Sequence, residues 1–264
     1  MNLSSKDERR KVIQDLLNRD TKELNYEIYY HYLKEIDEDY LHHREVWAER
    51  LMLVGEDKFP SYNDRIHFLS QDGVWCYVRG EYKAVIMYLT LASEQILKNI
   101  YLKFHEHTEE AYKKIEGDEN LRGKTLGGII NLFKNDDKLI NLLGEKILSI
   151  FENINLIRNK SYAHMRFVGV LKKVDDNIFE QYIKYLEELI ENFEKIKDFF
   201  EEKNLLNLIE NRDLDLIYNQ VQIEYEIDRI FAEILIKNLQ QINKELKISL
   251  VDCENHNLKL NLRN

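Results

Sequence analysis

The scarcity of proline and glycine constrains this chain more than any other feature of its sequence. Its 264 residues include one proline, Pro60, and nine glycines, which leaves few residues suited to the tight turns of a many-stranded sheet. With 44% hydrophobic residues, the chain is too apolar to remain disordered. Its abundant leucine, lysine and glutamate favour helices. The sequence therefore predicts a folded protein of the mainly α class.

Charge and cysteine content limit the environment and the partners of the chain. The formal net charge is −10, from 38 basic and 48 acidic residues, so a role in binding nucleic acid would require a local basic site. The N-terminal sequence MNLSSKDERRK lacks the apolar core of a signal peptide, and the two cysteines, Cys76 and Cys253, lie far apart. No apolar run approaches the roughly 18 to 20 residues that span a bilayer. We therefore expect a cytoplasmic protein with reduced thiols and no membrane span.

Hydrophobic periodicity divides the first half of the chain into predicted helices. Apolar residues at helical spacing predict one or two helices over 6–53, and the segment 55–63, which contains the proline, predicts a loop. The most apolar helix is predicted from Gly80 to about His105, at the centre of the fold and buried on nearly all sides. Glycines at 117–128 then predict a loop that leads into a short helix.

The second half of the chain predicts two long helices and then a change of pattern. Three- and four-residue spacing predicts a helix from Leu139 to Arg158, and heptad-like spacing predicts one amphipathic helix over 177–201, packed on the bundle or on another subunit. After it, alternating apolar residues predict a small strand-helix-hairpin unit around a helix at 229–246. The three predicted strands cover 221–227, 247–251 and 258–262. The first of these runs equally fits the start of the helix.

Most sequence motifs of enzymes are absent from this chain. It contains no glycine-rich phosphate loop, no GxSxG, HExxH or CxxC motif and no EF-hand loop. By residue type, His42 with His43, and His105 with His107 and the nearby glutamates, are candidate metal ligands. Adjacent helical residues point about 100° apart, however, and a solvated polar helix end explains either pair better. We expect neither a metal nor another cofactor.

The segment 156–167, LIRNKSYAHMRF, concentrates polar residues directly after an apolar helix. A ribonuclease that works without a metal needs a proton acceptor for the ribose 2′-hydroxyl and a cation for the charge that develops on the phosphate. His164 and Arg158 are side chains of these two types. Alternatively, Arg158 caps the C-terminal end of its helix and His164 packs in the next turn. Because an unbroken helix would hold the two positions about 120° apart, convergence requires a bend between Asn159 and Ala163 or a second subunit.

The order Arg158, Asn159 and His164 resembles the signature of the HEPN superfamily, in which an arginine and a polar residue precede a histidine. Upstream, the helical sequence GEYKAVIMYLTLASEQILKNI and the loop after it are similar in order and spacing to HEPN domains of bacterial defence and abortive-infection proteins, so that the resemblance covers about residues 70–200. It implies a helical bundle that forms a homodimer through the motif helices. Active members are metal-independent endoribonucleases, and many of them leave a cyclic phosphate after attack by the 2′-hydroxyl.

The resemblance also implies roles for individual residues. Arg158 would stabilise the scissile phosphate, His164 would act as general acid or base, and Asn159 would hydrogen-bond the site or fix His164. The further residues expected to contact substrate are Lys160, Ser161, Tyr162, Arg166 and, on the inner helix, Glu94. In toxins controlled by a nucleotidyltransferase antitoxin, a tyrosine lies two residues after the histidine, whereas this chain has Arg166 there.

The sequence thus predicts three parts and one main function. The parts are an N-terminal helical extension (1–69), a HEPN-like bundle (70–203) and a C-terminal helix with short strands (204–264). The main prediction is a dimeric ribonuclease of prokaryotic defence, or a toxin, with RNA as substrate and an antitoxin or regulatory protein as a further partner. Two alternatives remain open: a HEPN-like module that binds a protein partner without catalysis, which the acidic net charge favours, and a structural protein whose match to the motif is accidental.

Overall fold

The computed structural model describes residues 43–55, 59, 63–118, 121–164 and 176–261, with side chains except at 118, 121–122, 162–164, 176 and 247–261. Contacts within the chain divide it into two units, 1–53 and 54–264. Of the first unit, residues 43–53 are described and are helical. The remainder of the helices predicted over 6–53 lies outside the described residues, as does most of the loop predicted at 55–63.

Helices dominate the described part of the second unit, so the prediction of a mainly α fold is confirmed. They are α1 (Asp64–Arg79), α2 (Tyr82–Phe104), α3 (Glu109–Glu116), α4 (Leu126–Lys134), α5 (Asp137–Leu143), α6 (Glu145–His164), α7 (Asp176–Asn192), α8 (Glu194–Glu202), α9 (Leu206–Glu210), α10 (Asp215–Tyr218) and α11 (Gln220–Asn261). Between α3 and α4, the strands β1 (Gly117–Asp118) and β2 (Leu121–Arg122) form an antiparallel pair with Gly117 opposite Arg122. None of the described helices is both long enough and apolar enough to cross a membrane.

The helix predicted to be central, α2, occupies that place. It packs against α1, α4, α6 and α11, and Val85, Leu89 and Ile96 are fully buried because their spacing places them along one face. Burial on nearly all sides was a wrong prediction. Met87 and Leu91 are 43% and 39% exposed, since each lies two residues, and hence about 200° of rotation, from Leu89.

The structure replaces the single amphipathic helix predicted over 177–201 with two helices, α7 and α8. Phe193 separates them with an extended backbone (φ −134°, ψ 103°). The Asn192 side chain donates to the Glu188 carbonyl at 2.6 Å in the last turn of α7. Phe193 and Phe200 are both buried. The spacing therefore predicted the buried face correctly, although it did not predict the kink.

The predicted C-terminal strands are wrong, because α11 is one helix of 42 residues that covers all three alternating runs as far as Asn261. In the first run, Ile223 and Ile227 are buried, whereas Val221 and Tyr225 are exposed. The alternation arises because apolar residues occupy opposite sides of one helix. The alternative prediction, that this run begins the helix, is confirmed.

The boundaries of the units differ from the predicted domain boundaries. Contacts separate the chain after Leu53, and α1 runs continuously through the boundary predicted between 69 and 70. The C-terminal part is not separate, because α11 packs against α2, α6 and α8 within the second unit. The helix that carries the motif, α6, therefore packs both against helices that precede it in the sequence and against α11, which follows it.

Candidate functional site

The motif occupies the C-terminal end of α6, which is helical without interruption from Glu145 to His164. Arg158 lies six residues before the last residue of the helix, so the alternative in which it caps the helix end is wrong. The helix is also unbroken between Asn159 and Ala163. Six residues correspond to about 600° of rotation and a rise of about 9 Å, which leaves the two positions about 120° apart around the axis. One copy of α6 therefore does not present Arg158 and His164 on the same side.

Burial differs among the motif residues because α6 packs on the core along one face only. Ile154 and Ile157 are fully buried, whereas Asn159 is exposed and Arg158 is partly buried. Partial burial leaves part of the Arg158 side chain accessible to a ligand and packs the rest against the bundle. The side chains of Tyr162 and His164, and the whole of Arg166, lie outside the described residues.

Lys160 connects the motif helix to α7 by two interactions. Its ammonium group forms an ion pair with Glu188, and the hydrogen bond and charge of Lys160 lower the pKa of that carboxyl. The Lys160 carbonyl accepts a hydrogen bond from the hydroxyl of Tyr185 at 3.3 Å. The charge of Lys160 is therefore compensated within the bundle, which makes this residue a tether between helices and a weak candidate for binding phosphate. Ser161 is partly buried.

A buried polar cluster, which the sequence analysis missed, lies where α7 faces α11. It contains Tyr182 and Tyr185 of α7 and Glu224 and Asp228 of α11, all of them buried. Burial raises the pKa of both tyrosines, and the negative charges of Asp228 and Glu224 raise that of Tyr185 further. Both phenols therefore stay protonated over the whole physiological range.

Two neighbours extend this cluster towards the central helix and the start of α11. The ammonium group of Lys83 lies 3.8 Å from a carboxylate oxygen of Asp228, and the side-chain amide of Gln220 donates to Glu224 at 2.5 Å. Glu224 and Asp228 are four residues apart and so lie on one side of a helix. This helical spacing could have indicated Glu224 and Asp228 from the sequence. The interpretation of 221–227 as a strand did not place these two residues on one side of a helix.

Glu94 is fully engaged in the packing of α2 against α4. One of its carboxylate oxygens accepts from the backbone N–H of Leu126, the first residue of α4, at 3.0 Å, and the other lies 3.3 Å from the ammonium group of Lys98. The Lys98 side chain is 8% exposed and also pairs with Glu116 at 3.1 Å. Glu94 thereby caps a helix and compensates a buried cation. Its predicted contact with substrate remains a prediction.

The first turn of α4 also lies close to the motif helix. A Cβ atom at Gly127 would stand 3.2 Å from the side-chain nitrogen of Asn155, and Asn155 precedes Arg158 by three residues on α6. Because residues three apart on a helix lie on the same side, the region of Arg158 adjoins the segment that Glu94 caps. The capped α4 thus supports the middle of α6.

The histidines that were weighed as metal ligands make other contacts where the structure describes them. Nδ1 of His107 lies 3.1 Å from the hydroxyl oxygen of Tyr112, and the ring of His105 packs on Tyr101 with 4.4 Å between the ring centroids. His42 lies outside the described residues. Among the residues that are described, no group of three or more histidine, cysteine, aspartate or glutamate side chains could hold a metal ion.

In comparisons with known proteins, no family model matches the chain, and no match was found among curated proteins or solved structures.

Proposed function

We propose that this chain is a metal-independent endoribonuclease of the HEPN type, active as a homodimer in prokaryotic defence or as a toxin. The observation that carries the proposal is the place of Arg158, Asn159 and His164 in the last two turns of one helix, α6, that packs against the central helix of a bundle. Exposure of Asn159 and partial exposure of Arg158 support access by a polymer from solvent.

The proposed chemistry uses two side-chain types that act without a metal. The imidazole of His164 accepts the proton of the ribose 2′-hydroxyl, whose oxygen attacks the phosphorus, and the bond from phosphorus to the 5′-oxygen breaks. The guanidinium of Arg158 stabilises the charge that develops on the non-bridging oxygens through paired hydrogen bonds. After the leaving oxygen takes up a proton, the products are a 2′,3′-cyclic phosphate and a 5′-hydroxyl.

Helix geometry supports a site that two subunits share. The positions of Arg158 and His164 are about 120° apart around the axis of an unbroken helix, so the two groups reach one phosphodiester more readily when they come from different subunits. A twofold axis beside α6 would pair each Arg158 with the other subunit's histidine and would form two equal sites.

Cleavage of RNA in the presence of a chelator tests the chemistry. We expect wild-type protein to cleave total RNA and to leave cyclic phosphate ends, and we expect Arg158→Ala and His164→Ala to lose about 10²-fold or more of the rate. Arg158→Lys keeps the charge without the forked geometry and should restore only part of the rate. Arg212→Ala is a matched control, because Arg212 is an exposed arginine paired with Glu180 on another part of the surface. Absence of cleavage by the wild type, or equal cleavage by all variants, would overturn the proposal.

Subunit mixing tests the shared site separately. When Arg158→Ala protein and His164→Ala protein are mixed and exchange subunits, half of the dimers contain one of each and retain one intact site out of two. We therefore expect recovery of about one quarter of the wild-type rate. A site formed within one subunit predicts no recovery at all.

A second candidate is a binding module without catalysis, which engages a protein partner through the same fold. Two observations favour it: the net charge of −10 opposes the approach of RNA, and Glu188 compensates the charge of Lys160. Fluorescence anisotropy with labelled RNA separates the two candidates. The enzyme proposal predicts saturable binding that Arg158→Ala weakens, whereas the binding module predicts no binding by the wild type or the variant.

A further inference from the structure

The end of the motif helix is held at one residue, Lys160, from one side of α7. The Lys160 carbonyl accepts a hydrogen bond from the hydroxyl of Tyr185 at 3.3 Å, and the Lys160 ammonium group pairs with Glu188. Tyr185 and Glu188 are three residues apart and so lie on the same side of α7. Both the backbone and the side chain of Lys160 are therefore fixed by the same neighbouring helix.

These polar contacts begin where the apolar packing of α6 ends. Ile154 and Ile157 are fully buried, whereas residues 158–161 are partly buried or exposed. In the turn after Ile157, the structure describes polar contacts at Lys160 in place of a buried apolar side chain. A hydrogen bond depends on direction as well as distance, so these contacts restrict the rotation of the helix end as well as its position.

The carbonyl that Tyr185 binds is also connected to His164. α6 is helical as far as His164, and in an α-helix each N–H donates to the carbonyl four residues earlier, so the Lys160 carbonyl accepts from the backbone N–H of His164. A carbonyl oxygen has two lone pairs and can accept both hydrogen bonds. His164 is the last residue of α6, and helices fray at their ends because the final carbonyls have no partner within the helix. Tyr185 therefore binds the same oxygen atom that keeps the backbone of His164 in the helix.

The hydroxyl of Tyr185 is itself held firmly as a donor. Tyr185 is 5% exposed, and its ring stacks on that of Tyr182 with 6.5 Å between the ring centroids. Burial raises the pKa of Tyr185, and the negative charge of Asp228 raises it further, so the hydroxyl retains the proton that it donates. Asp228 in turn lies 3.8 Å from the ammonium group of Lys83 on α2. The donor thus belongs to a polar cluster that reaches the central helix of the bundle.

We infer that Tyr185 is a positioning residue, whose hydroxyl fixes the last turn of the motif helix and, with it, the place of His164. Because Tyr185 is buried, it acts on this turn through Lys160 and lies out of reach of a polymer in solvent. The consequence for cleavage rests on the proposed function, in which His164 takes the proton of the 2′-hydroxyl. Proton transfer requires the base to lie within hydrogen-bond reach of that proton, and a displacement of about 1 Å can cost about 10²-fold in rate.

Amide hydrogen exchange tests the positioning without any use of RNA. Amides at a helix end exchange through local opening, so they report local contacts and not the overall stability. Tyr185→Phe removes the hydroxyl and keeps the ring, and we expect the protection of amides 161–164 to fall by about 3- to 10-fold, the size expected for one hydrogen bond. Helical content measured by circular dichroism should stay unchanged.

Tyr77→Phe is the matched control for this exchange measurement. Tyr77 is a buried tyrosine of α1 whose hydroxyl donates to Glu233 at 3.5 Å, so the variant also loses a tyrosine hydroxyl but leaves the end of α6 intact. It should not change the protection of amides 161–164. Unchanged protection of these amides in Tyr185→Phe, or an equal loss in Tyr77→Phe, would overturn the inference.

Cleavage kinetics test the consequence for catalysis. We expect Tyr185→Phe to lower kcat by about tenfold or more and to leave KM unchanged, because the hydroxyl holds the base and does not bind the substrate. Tyr77→Phe should keep both values. If the wild type cleaves RNA and Tyr185→Phe has the same kcat, the positioning role is wrong. If the wild type does not cleave RNA, the ribonuclease proposal fails, and amide exchange still decides whether Tyr185 fixes the turn. The two failures are therefore distinguishable.

Discussion

Substitution of Gly73 tests the packing that places the central helix. Gly73 lies in α1 where this helix faces α2, and a Cβ atom there would stand 2.4 Å from Cδ2 and 2.9 Å from Cγ of Leu89. Leu89 is fully buried, so its side chain has no open space into which to move. Gly73→Ala therefore forces α1 and α2 apart or distorts the rotamer of Leu89.

The expected change in stability is the balance of two opposing contributions. Overpacking of a closed core costs about 1 to 3 kcal/mol, and replacing glycine by alanine inside a helix stabilises by about 0.8 to 1 kcal/mol. The steric contribution is the larger, so we expect Gly73→Ala to lower the free energy of unfolding by about 1 kcal/mol. For a chain of this size, the melting temperature would fall by about 2 to 4 °C.

Gly128 offers a matched control with the opposite sign. It lies in the first turn of α4, where the nearest atom to an added Cβ is Cδ of Lys124 at 3.3 Å, and Lys124 is exposed and free to move away. Gly128→Ala should therefore stabilise the protein through helix propensity alone. Urea unfolding followed by circular dichroism measures both variants. A Gly73→Ala protein as stable as the wild type, or a decrease of equal size in Gly128→Ala, would refute the reasoning.

Two further predictions concern buried polar groups. Glu94→Ala removes the acceptor of the Leu126 N–H and one of the two carboxylates that pair with buried Lys98, so we expect the free energy of unfolding to fall by about 2 kcal/mol. Glu94→Gln keeps a hydrogen-bond acceptor and should lose less. Equal losses of the two variants in urea unfolding would contradict this assignment of Glu94. Burial raises the pKa of the Cys76 thiol from 9.0 to about 11. Between pH 9 and pH 11 this thiol has therefore lost its proton in the unfolded chain and keeps it in the folded chain. The free energy of unfolding consequently falls as the pH rises through this range. The urea midpoint should therefore decrease above about pH 9, and less steeply in Cys76→Ala; identical slopes would exclude this thiol as the cause.

Helices could be predicted wherever one face of the chain is apolar. The spacing of Val85, Leu89 and Ile96 located α2 and its buried face, because burial of a stripe is the main reason that a helix packs. The same reasoning gave a wrong strand at 221–227. Val221 and Tyr225 are apolar residues on the exposed side of α11, and together with the buried Ile223 and Ile227 they produce the alternating pattern that is typical of a strand. Apolar spacing also did not predict the break between α7 and α8 at Phe193, because the extended backbone there leaves the spacing of the buried residues unchanged.

The candidate site was less accessible to prediction than the fold. Arg158 and Asn159 could be selected from local order and residue type, but the contacts that constrain them come from distant parts of the chain. Lys160 pairs with Glu188, 28 positions away, and Glu94 caps Leu126, 32 positions away. Neither partner is indicated by any local pattern, since ion pairs and caps of this kind depend on how helices are arranged in space.

The long C-terminal helix has a consequence for how the protein is made. Gln240 donates to the carbonyl of Val54 across 186 positions, and Lys146 pairs with Glu245 across 99 positions. Contacts between such distant residues form slowly, because a long loop must close first. Since α11 leaves the ribosome after the helices that it packs against, the side of α2 that faces α11 remains exposed to water until α11 has been synthesised. During synthesis, the residues of the motif are therefore present before α11, which packs against the motif helix α6, has formed.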